Sequence, residues 1–374
     1  MYRWSRFILI LLCGILSSSS AEARSGLKDV LGRYFLIGSS LNHHQSAGRD
    51  ERATRIVDRH FNVVVAENIM KPGPLEPREG EFDFRAADEL VAYTRQHGLA
   101  LTGHCLIWHS QIPDWFFRDG EGPASRELLT ERIRRHVTAV VTHFKGKVKG
   151  WDVVNEAIEW DGSYRRSPFY NILGEDFIEI AFRAAHEADP DVELYYNDYS
   201  MDIPAKRMAV CRMVRRLKER GVRIDGVGMQ SHVGLVYPRL NDYEASIDSF
   251  AACGVKVMIT ELDVNVLPNP DQFGGAAIDQ SYEYRQKWNP YTEGLPADVE
   301  KQLEERWLSL FEIYYRHRHQ ISRVNLWGIA DHHSWLNGWP IPGRTNYPLL
   351  FDREYREKPV VKKIIALFRK GGRR

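Results

Sequence analysis

Cysteine is scarce in this chain: four in 374 residues, at Cys13, Cys105, Cys211 and Cys253. A set so small and so widely spaced excludes a disulfide scaffold. A chain of this length buries a core that needs no staples, so Cys105, Cys211 and Cys253 read as buried apolar thiols. Net charge is missing too. Lys and Arg total 51 against 50 Asp and Glu, and removing residues 1–23, with Arg3, Arg6 and Glu22, would leave 49 of each. That balance gives no global pull toward nucleic acid or an anionic membrane surface. Long apolar runs are absent as well. The most apolar stretch, residues 7–16, is too short to span a bilayer. From Tyr34 onward there is no linker, no low-complexity tract and no internal repeat. No glycine-rich phosphate turn follows an early strand, which removes the main sign of an open doubly wound sheet.

What is present starts with a targeting pattern. Arg3 and Arg6 precede the apolar run, and a serine stretch leads to Ala21-Glu22-Ala23. A charged region, a short apolar core and a small-x-small exit predict a secretory signal peptide over residues 1–23. Residues 24–374 would then be one exported domain, periplasmic or extracellular. Lipoprotein processing at Cys13 is opposed by the bulky Leu11 and Leu12.

The remainder alternates short apolar runs with amphipathic stretches. Strands are predicted at 34–38, 62–66, 100–108, 148–154, 192–196, 226–230, 255–260 and 323–329. Helices are predicted at 86–97, 125–144, 177–188, 205–220 and 298–317, with a last one after Pro359. Apolar residues in the second of these helices, such as Leu128, Ile133, Val137, Val140 and Val141, recur at helical spacing. Eight strand–helix units in about 350 residues predict a single (β/α)8 TIM barrel.

Barrel enzymes carry their chemistry at the carboxyl ends of the strands, and seven of these eight ends are polar or aromatic. They read Glu67-Asn68-Ile69-Met70-Lys71; His104 to Trp108, His109 and Gln111; Asn155-Glu156; Asn197-Asp198-Tyr199; Gln230-Ser231-His232; Glu261 and Asp263; Trp327, with Trp335 beyond. Carboxylates ending buried strands are costly unless paired or reactive. Glu156 and Glu261 would face each other across one cleft, the constellation that cuts glycosidic bonds. His104 and Asp152 stand four residues before Trp108 and Glu156, so an imidazole–carboxylate pair is expected, structural or chemical. Glu261 and Asp263 share parity, and His232 from the neighbouring strand could bridge them. A metal centre is not expected. His43-His44 and His332-His333 are adjacent pairs, which on strands place their rings on opposite sides, and His104 and His109 differ in parity.

These stretches resemble glycoside hydrolase family 10, the endo-1,4-β-xylanases. The resemblance rests on the Glu67–Lys71 stretch, Gly103-His104 through Trp108-His109-Ser110-Gln111, Trp151-Asp152-Val153-Val154-Asn155-Glu156-Ala157, Tyr196-Asn197-Asp198-Tyr199, Gly228-Met229-Gln230-Ser231-His232, Ile259-Thr260-Glu261-Leu262-Asp263-Val264 and Trp327-Gly328 through Trp335, in family order. It implies Glu156 as acid/base, Glu261 as nucleophile and Asn155 on the sugar 2-hydroxyl. His232 and Asp263 would support the nucleophile. Glu67, Asn68, Lys71, His104, Trp108, Gln111, Trp327 and Trp335 would line the non-reducing-side sugar sites. Tyr199 and Gln230 would lie around the reacting sugar and the acid. The implied activity is retaining hydrolysis of xylan by a monomer without cofactor or metal. A β-1,4-glucanase or cellobiosidase on the same barrel and a non-catalytic glycan-binding protein are the rivals. A long segment, 264–296, departs from the pattern and carries Tyr282, Tyr284, Trp288 and Tyr291; long loops of this kind are usually functional or disordered, and four aromatics argue against disorder.

Overall fold

A computed structural model describes residues 25–270, 278 and 281–371; the expected signal peptide lies outside them. Eight parallel strands form the barrel: β1 (Leu36–Leu41), β2 (Val63–Ala66), β3 (Ala100–Trp108), β4 (Gly150–Asn155), β5 (Glu193–Asp198), β6 (Gly226–Met229), β7 (Lys256–Asn265) and β8 (Ile321–Leu326). Each pairs with the next, and β8 pairs with both β7 and β1, so the sheet closes without an edge. One main helix follows each strand: α1 (Glu51–His60), α2 (Arg85–His97), α3 (Arg126–His143), α4 (Asp176–Ala188), α5 (Pro204–Glu219), α6 (Leu240–Ala251), α7 (Ala297–Arg316) and α8 (Pro359–Gly371). This is a (β/α)8 TIM barrel. Among the described residues no helix is long and apolar enough to cross a membrane.

Local chemistry places the boundaries. The Ser125 hydroxyl accepts from the Leu128 amide and starts α3, while Gly98, at φ 63°, ends α2 in the left-handed conformation that glycine adopts without strain. Pro204 and Pro359 occupy the first turn of α5 and α8, where no amide donor is needed. On α3 the buried Leu129, Ile133, Val137, Val140 and Val141 make the stripe that packs on the sheet. Every residue of β2 and β4 is buried, as expected for strands covered by helices outside and side chains inside.

Several strands run past their predicted ends, β7 furthest. β7 runs to Asn265 because Leu262 and Val264 continue the apolar alternation through the acids. Its tail is paired by a short strand, His232–Gly234, that sets His232 opposite Asp263. The long connection therefore begins at residue 266. Its described part is tied down by the Tyr282 amide on the Pro340 carbonyl and the Tyr347 hydroxyl on the Tyr291 carbonyl.

Large rings are seated on glycines on both faces of the sheet, Tyr195 inside the barrel against Arg323 and Trp151 outside it against the Phe144 ring at the end of α3. A Cβ added to Gly103 would meet the Trp151 ring at 2.1 Å, and one at Gly150 would meet the Tyr195 ring at 2.3 Å. Trp151 is itself buried and cannot swing into solvent. Gly103→Ala should therefore destabilise the fold by about 1–3 kcal/mol, the usual range for overpacking a filled core. The measurement is chemical unfolding followed by tryptophan fluorescence, and unchanged stability would show that the Trp151 ring can give way.

Candidate active site

A cavity of about 260 Å³ opens at the carboxyl ends of the strands. Glu67, Asn68 and Lys71 follow β2 into one wall; His104, Trp108 and Gln111 come from β3 and its loop. Asn155 and Glu156 close β4, Gln230 and His232 follow β6, Glu261 comes from β7, and Trp327 and Trp335 follow β8. Asp263, fully buried, stands behind His232. Tyr199 lies outside the cavity: its hydroxyl accepts from Arg165 at 2.6 Å and its ring carries the Lys206 ammonium at 4.1 Å.

Asn155 and Glu156 are neighbours, and in a regular strand their side chains would point to opposite faces. Both line the cavity because Glu156 has φ 59°, a left-handed conformation that is uncommon without glycine. Holding it there costs of the order of 1–3 kcal/mol. The surroundings enforce it: the Glu156 amide donates to the Asn197 carbonyl at 2.9 Å, and its own carbonyl accepts from Arg165 Nε at 2.9 Å.

The two carboxylates are joined by amide side chains. Glu156 Oε1 accepts from Gln230 at 2.8 Å and from Asn155 at 3.2 Å, while Oε2 accepts from the Trp108 indole at 2.9 Å. Asn197 Nδ2 donates both to Asn155 Oδ1, at 2.9 Å, and to Glu261 Oε1, at 2.7 Å. Thr260 fixes the Asn197 amide by donating to its oxygen at 2.6 Å. Asn197 is the residue that sequence reading passed over. It was visible at a strand end, and its pairing with Asn155 across β4 and β5 is what gives it a role. Gly228 makes that role possible, because a Cβ there would lie 2.4 Å from Asn197 Oδ1.

Glu261 Oε2 lies 3.3 Å from His232 Nε2, and His232 Nδ1 lies 3.0 Å from Asp263 Oδ2. The same Asp263 oxygen accepts from the Trp335 indole at 2.8 Å. Burial opposes a charge on His232, but Asp263 and then Glu261 overcome it and push its pKa up to about 10. Both ring nitrogens therefore carry protons and donate to the two acids. Burial would raise Glu261 as well; the His232 hydrogen bond, the potential of the His104 ring and the Asn197 amide outweigh it and hold the carboxyl below its ordinary value. For Glu156, burial and next the Asp198 charge push the carboxyl up, against hydrogen bonds from Gln230 and Trp108. One acid is biased to keep its proton and the other to lose it, the division of labour an acid–nucleophile pair needs.

The opposite wall is built for hydroxyls. Lys71 donates to Asn68 Oδ1 at 2.8 Å and Gln111 Oε1 at 2.7 Å, with its ammonium 4.8 Å above the Trp108 ring. Burial holds Lys71 below the ordinary lysine value and raises Glu67 above the carboxylate one. Trp339, unassigned from sequence, stacks on Trp335 with centroids 4.4 Å apart and planes 12° from parallel. Below the cavity, His104 Nδ1 meets Asp152 Oδ2 at 2.9 Å, as the spacing predicted. The adjacent histidines differ from the strand-based expectation. His332 and His333 lie on a short helical turn with rings 3.8 Å apart, both facing the Tyr355 hydroxyl away from the cavity.

The model of glycosyl hydrolase family 10 matches residues 26–367. An endo-1,4-β-xylanase A from Xylanibacter ruminicola is 55% identical over 349 residues, covering 93% of this chain and 95% of that protein. A thermostable celloxylanase from Thermoclostridium stercorarium is 38% identical over 356 residues, covering 91% and 87%. Among solved structures, a GH10 endoxylanase retrieved from a sugarcane-soil metagenome superposes with a TM-score of 0.87 at 41% identity, covering 92% of this chain and all 100% of that one. Fold, cavity and similarity agree: the chain belongs to glycosyl hydrolase family 10 and is a glycoside hydrolase.

Proposed function

We propose that this protein is an exported endo-1,4-β-xylanase that cleaves internal bonds of xylan by double displacement, after removal of residues 1–23. The observation that carries the mechanism is the opposed bias of Glu156 and Glu261 within one hydrogen-bond network. Glu156, protonated, gives its proton to the departing glycosidic oxygen while ionised Glu261 attacks the anomeric carbon. The ester so formed is hydrolysed by water that Glu156, now a base, deprotonates. Retention requires carboxyls about 5–5.5 Å apart. Asn155 Nδ2, engaged only at 3.2 Å by Glu156, is available to the sugar 2-hydroxyl.

The backbone preference rests on Trp335. Its indole is locked by Asp263, by Trp339 and by the His232 ring at 4.8 Å. A wall that cannot swing aside rejects the hydroxymethyl group that distinguishes glucose from xylose, and overlap discriminates more sharply than a lost contact. The relative named a celloxylanase makes β-1,4-glucan the natural competitor.

Aryl xylobiosides should accordingly be cleaved with kcat/KM about a hundredfold or more above aryl cellobiosides, and Trp335→Ala should narrow the gap. Equal efficiency in the native enzyme would overturn the xylan assignment. Glu261→Ala should abolish turnover and be rescued by azide or formate, giving a product of inverted configuration, because the anion enters from the nucleophile's side; native-like turnover removes Glu261 from the mechanism. Glu156→Ala should lower kcat/KM on substrates with poor leaving groups about a hundredfold or more and leave kcat/KM on activated aryl glycosides nearly unchanged, while kcat on the activated ones falls because the ester loses the base that releases it. The alkaline limb of the native pH profile, above the ordinary carboxylate range because Glu156 is raised, should vanish in that variant on activated substrates.

A further inference from the structure

A second cavity, of about 280 Å³, adjoins the first and shares His232, Trp335 and Trp339 with it. Its other walls include Trp160, Ser200, Asp202 and Tyr237. Trp160 is 41% exposed and Tyr237 42%, so both rings present a face to solvent at the rim of this cavity. Trp160 is four residues beyond Glu156, on the same loop as the proton donor.

That loop is a rigid stalk. The Gly162 amide donates to the Glu159 carbonyl at 3.0 Å and the Glu159 amide to the Ser163 carbonyl at 2.8 Å. Asp161 accepts from both the amide and the hydroxyl of Ser163, at 2.8 and 2.6 Å. Gly162, at φ 83°, packs so closely that a Cβ would lie 2.7 Å from the Ala205 carbonyl oxygen at the start of α5. Arg165 ties the base of the turn to the Glu156 carbonyl and reaches Glu159 at 3.2 Å. An indole left in water on a turn this constrained needs no folding of its own to receive a flat ligand.

The geometry points to Trp160 as the stacking platform for a sugar of the leaving-group chain, with Asp202 accepting that sugar's hydroxyls. The inference rests on the proposed endo-hydrolysis. The sugar under attack occupies the first cavity, over Glu261 and beside Lys71 and Gln111. The chain released by Glu156 must leave on the other side of the scissile bond. The second cavity, lined from the loops after β4, β5 and β6 and by neither Lys71 nor Gln111, adjoins the first and offers that chain a place. Pyranose rings bury an apolar face against an indole while their hydroxyls need acceptors at the rim. Trp160 and Asp202 supply both.

The test is a ratio. For the native enzyme, Trp160→Ala and Trp160→Phe, kcat/KM is measured on xylohexaose, which fills the leaving-group side with sugars, and on an aryl xylobioside, which does not. Trp160→Ala should lower the xylohexaose-to-aryl ratio about tenfold, the size expected when one stacking contact is removed, and Trp160→Phe should restore most of it. An unchanged ratio overturns the inference. So does an equal loss on both substrates with a lowered melting temperature, which would make Trp160 a structural prop. If the native enzyme cleaves cellohexaose and not xylohexaose, the xylan reading fails; the same ratio taken on cellohexaose and an aryl cellobioside then decides the role of Trp160.

Discussion

Everything at the mouth of this barrel depends on keeping three carboxylates dry. Glu156 is 5% exposed, Glu261 4% and Asp263 0%, and an ionised group removed from water is tolerated only when its oxygens are bonded. Each solution recruits a different strand. Trp108 and Gln230 serve Glu156, Asn197 and His232 serve Glu261, and Trp335 and His232 serve Asp263. Satisfying the acids thus sews β3, β4, β5, β6, β7 and the loop after β8 together at one level. The same bonds that make burial bearable fix the direction in which each carboxyl faces.

Charge is then divided along the ring. His232, protonated between two acids, draws negative charge toward Glu261 and Asp263. Asp198 acts from the other side and keeps Glu156 reluctant to ionise. Lys206 meets Asp198 at 2.7 Å, with both side chains fully buried, and the Tyr196 hydroxyl donates to the second Asp198 oxygen. A cationic helix residue on α5 therefore reaches the proton inventory of the cleft through one intermediate. Removing such a partner from a buried pair usually costs several kcal/mol, whereas the pair itself contributes little.

Much of this was legible in the sequence, for a physical reason. Strands buried on both faces are apolar almost without interruption, so the acid, amide or indole that breaks each run marks both its end and its function. β3 was read to the residue, and the His104–Asp152 and Glu261–His232–Asp263 contacts followed from parity and neighbouring strands. Backbone conformation and register were not legible. Nothing in the letters says that Glu156 turns left-handed, that Asn197 bridges to Glu261, or that Tyr199 turns away to Arg165. β7 was cut short because a run of acids reads as a strand end, although Leu262 and Val264 still alternate. The tryptophan pair was half seen, since stacking of Trp339 on Trp335 depends on a loop whose path is set by tertiary contacts.

Gly228 carries a consequence of a different kind. Its contribution is a volume left empty, into which Asn197 leans to reach Glu261. The position touches no substrate and offers no functional group, so a survey of reactive side chains would rank it nowhere. Redesign of the nucleophile's environment nevertheless has to leave this spot vacant. A designer who fills it to gain packing would displace the amide and loosen the carboxylate it steadies, and the fold could survive while the chemistry did not.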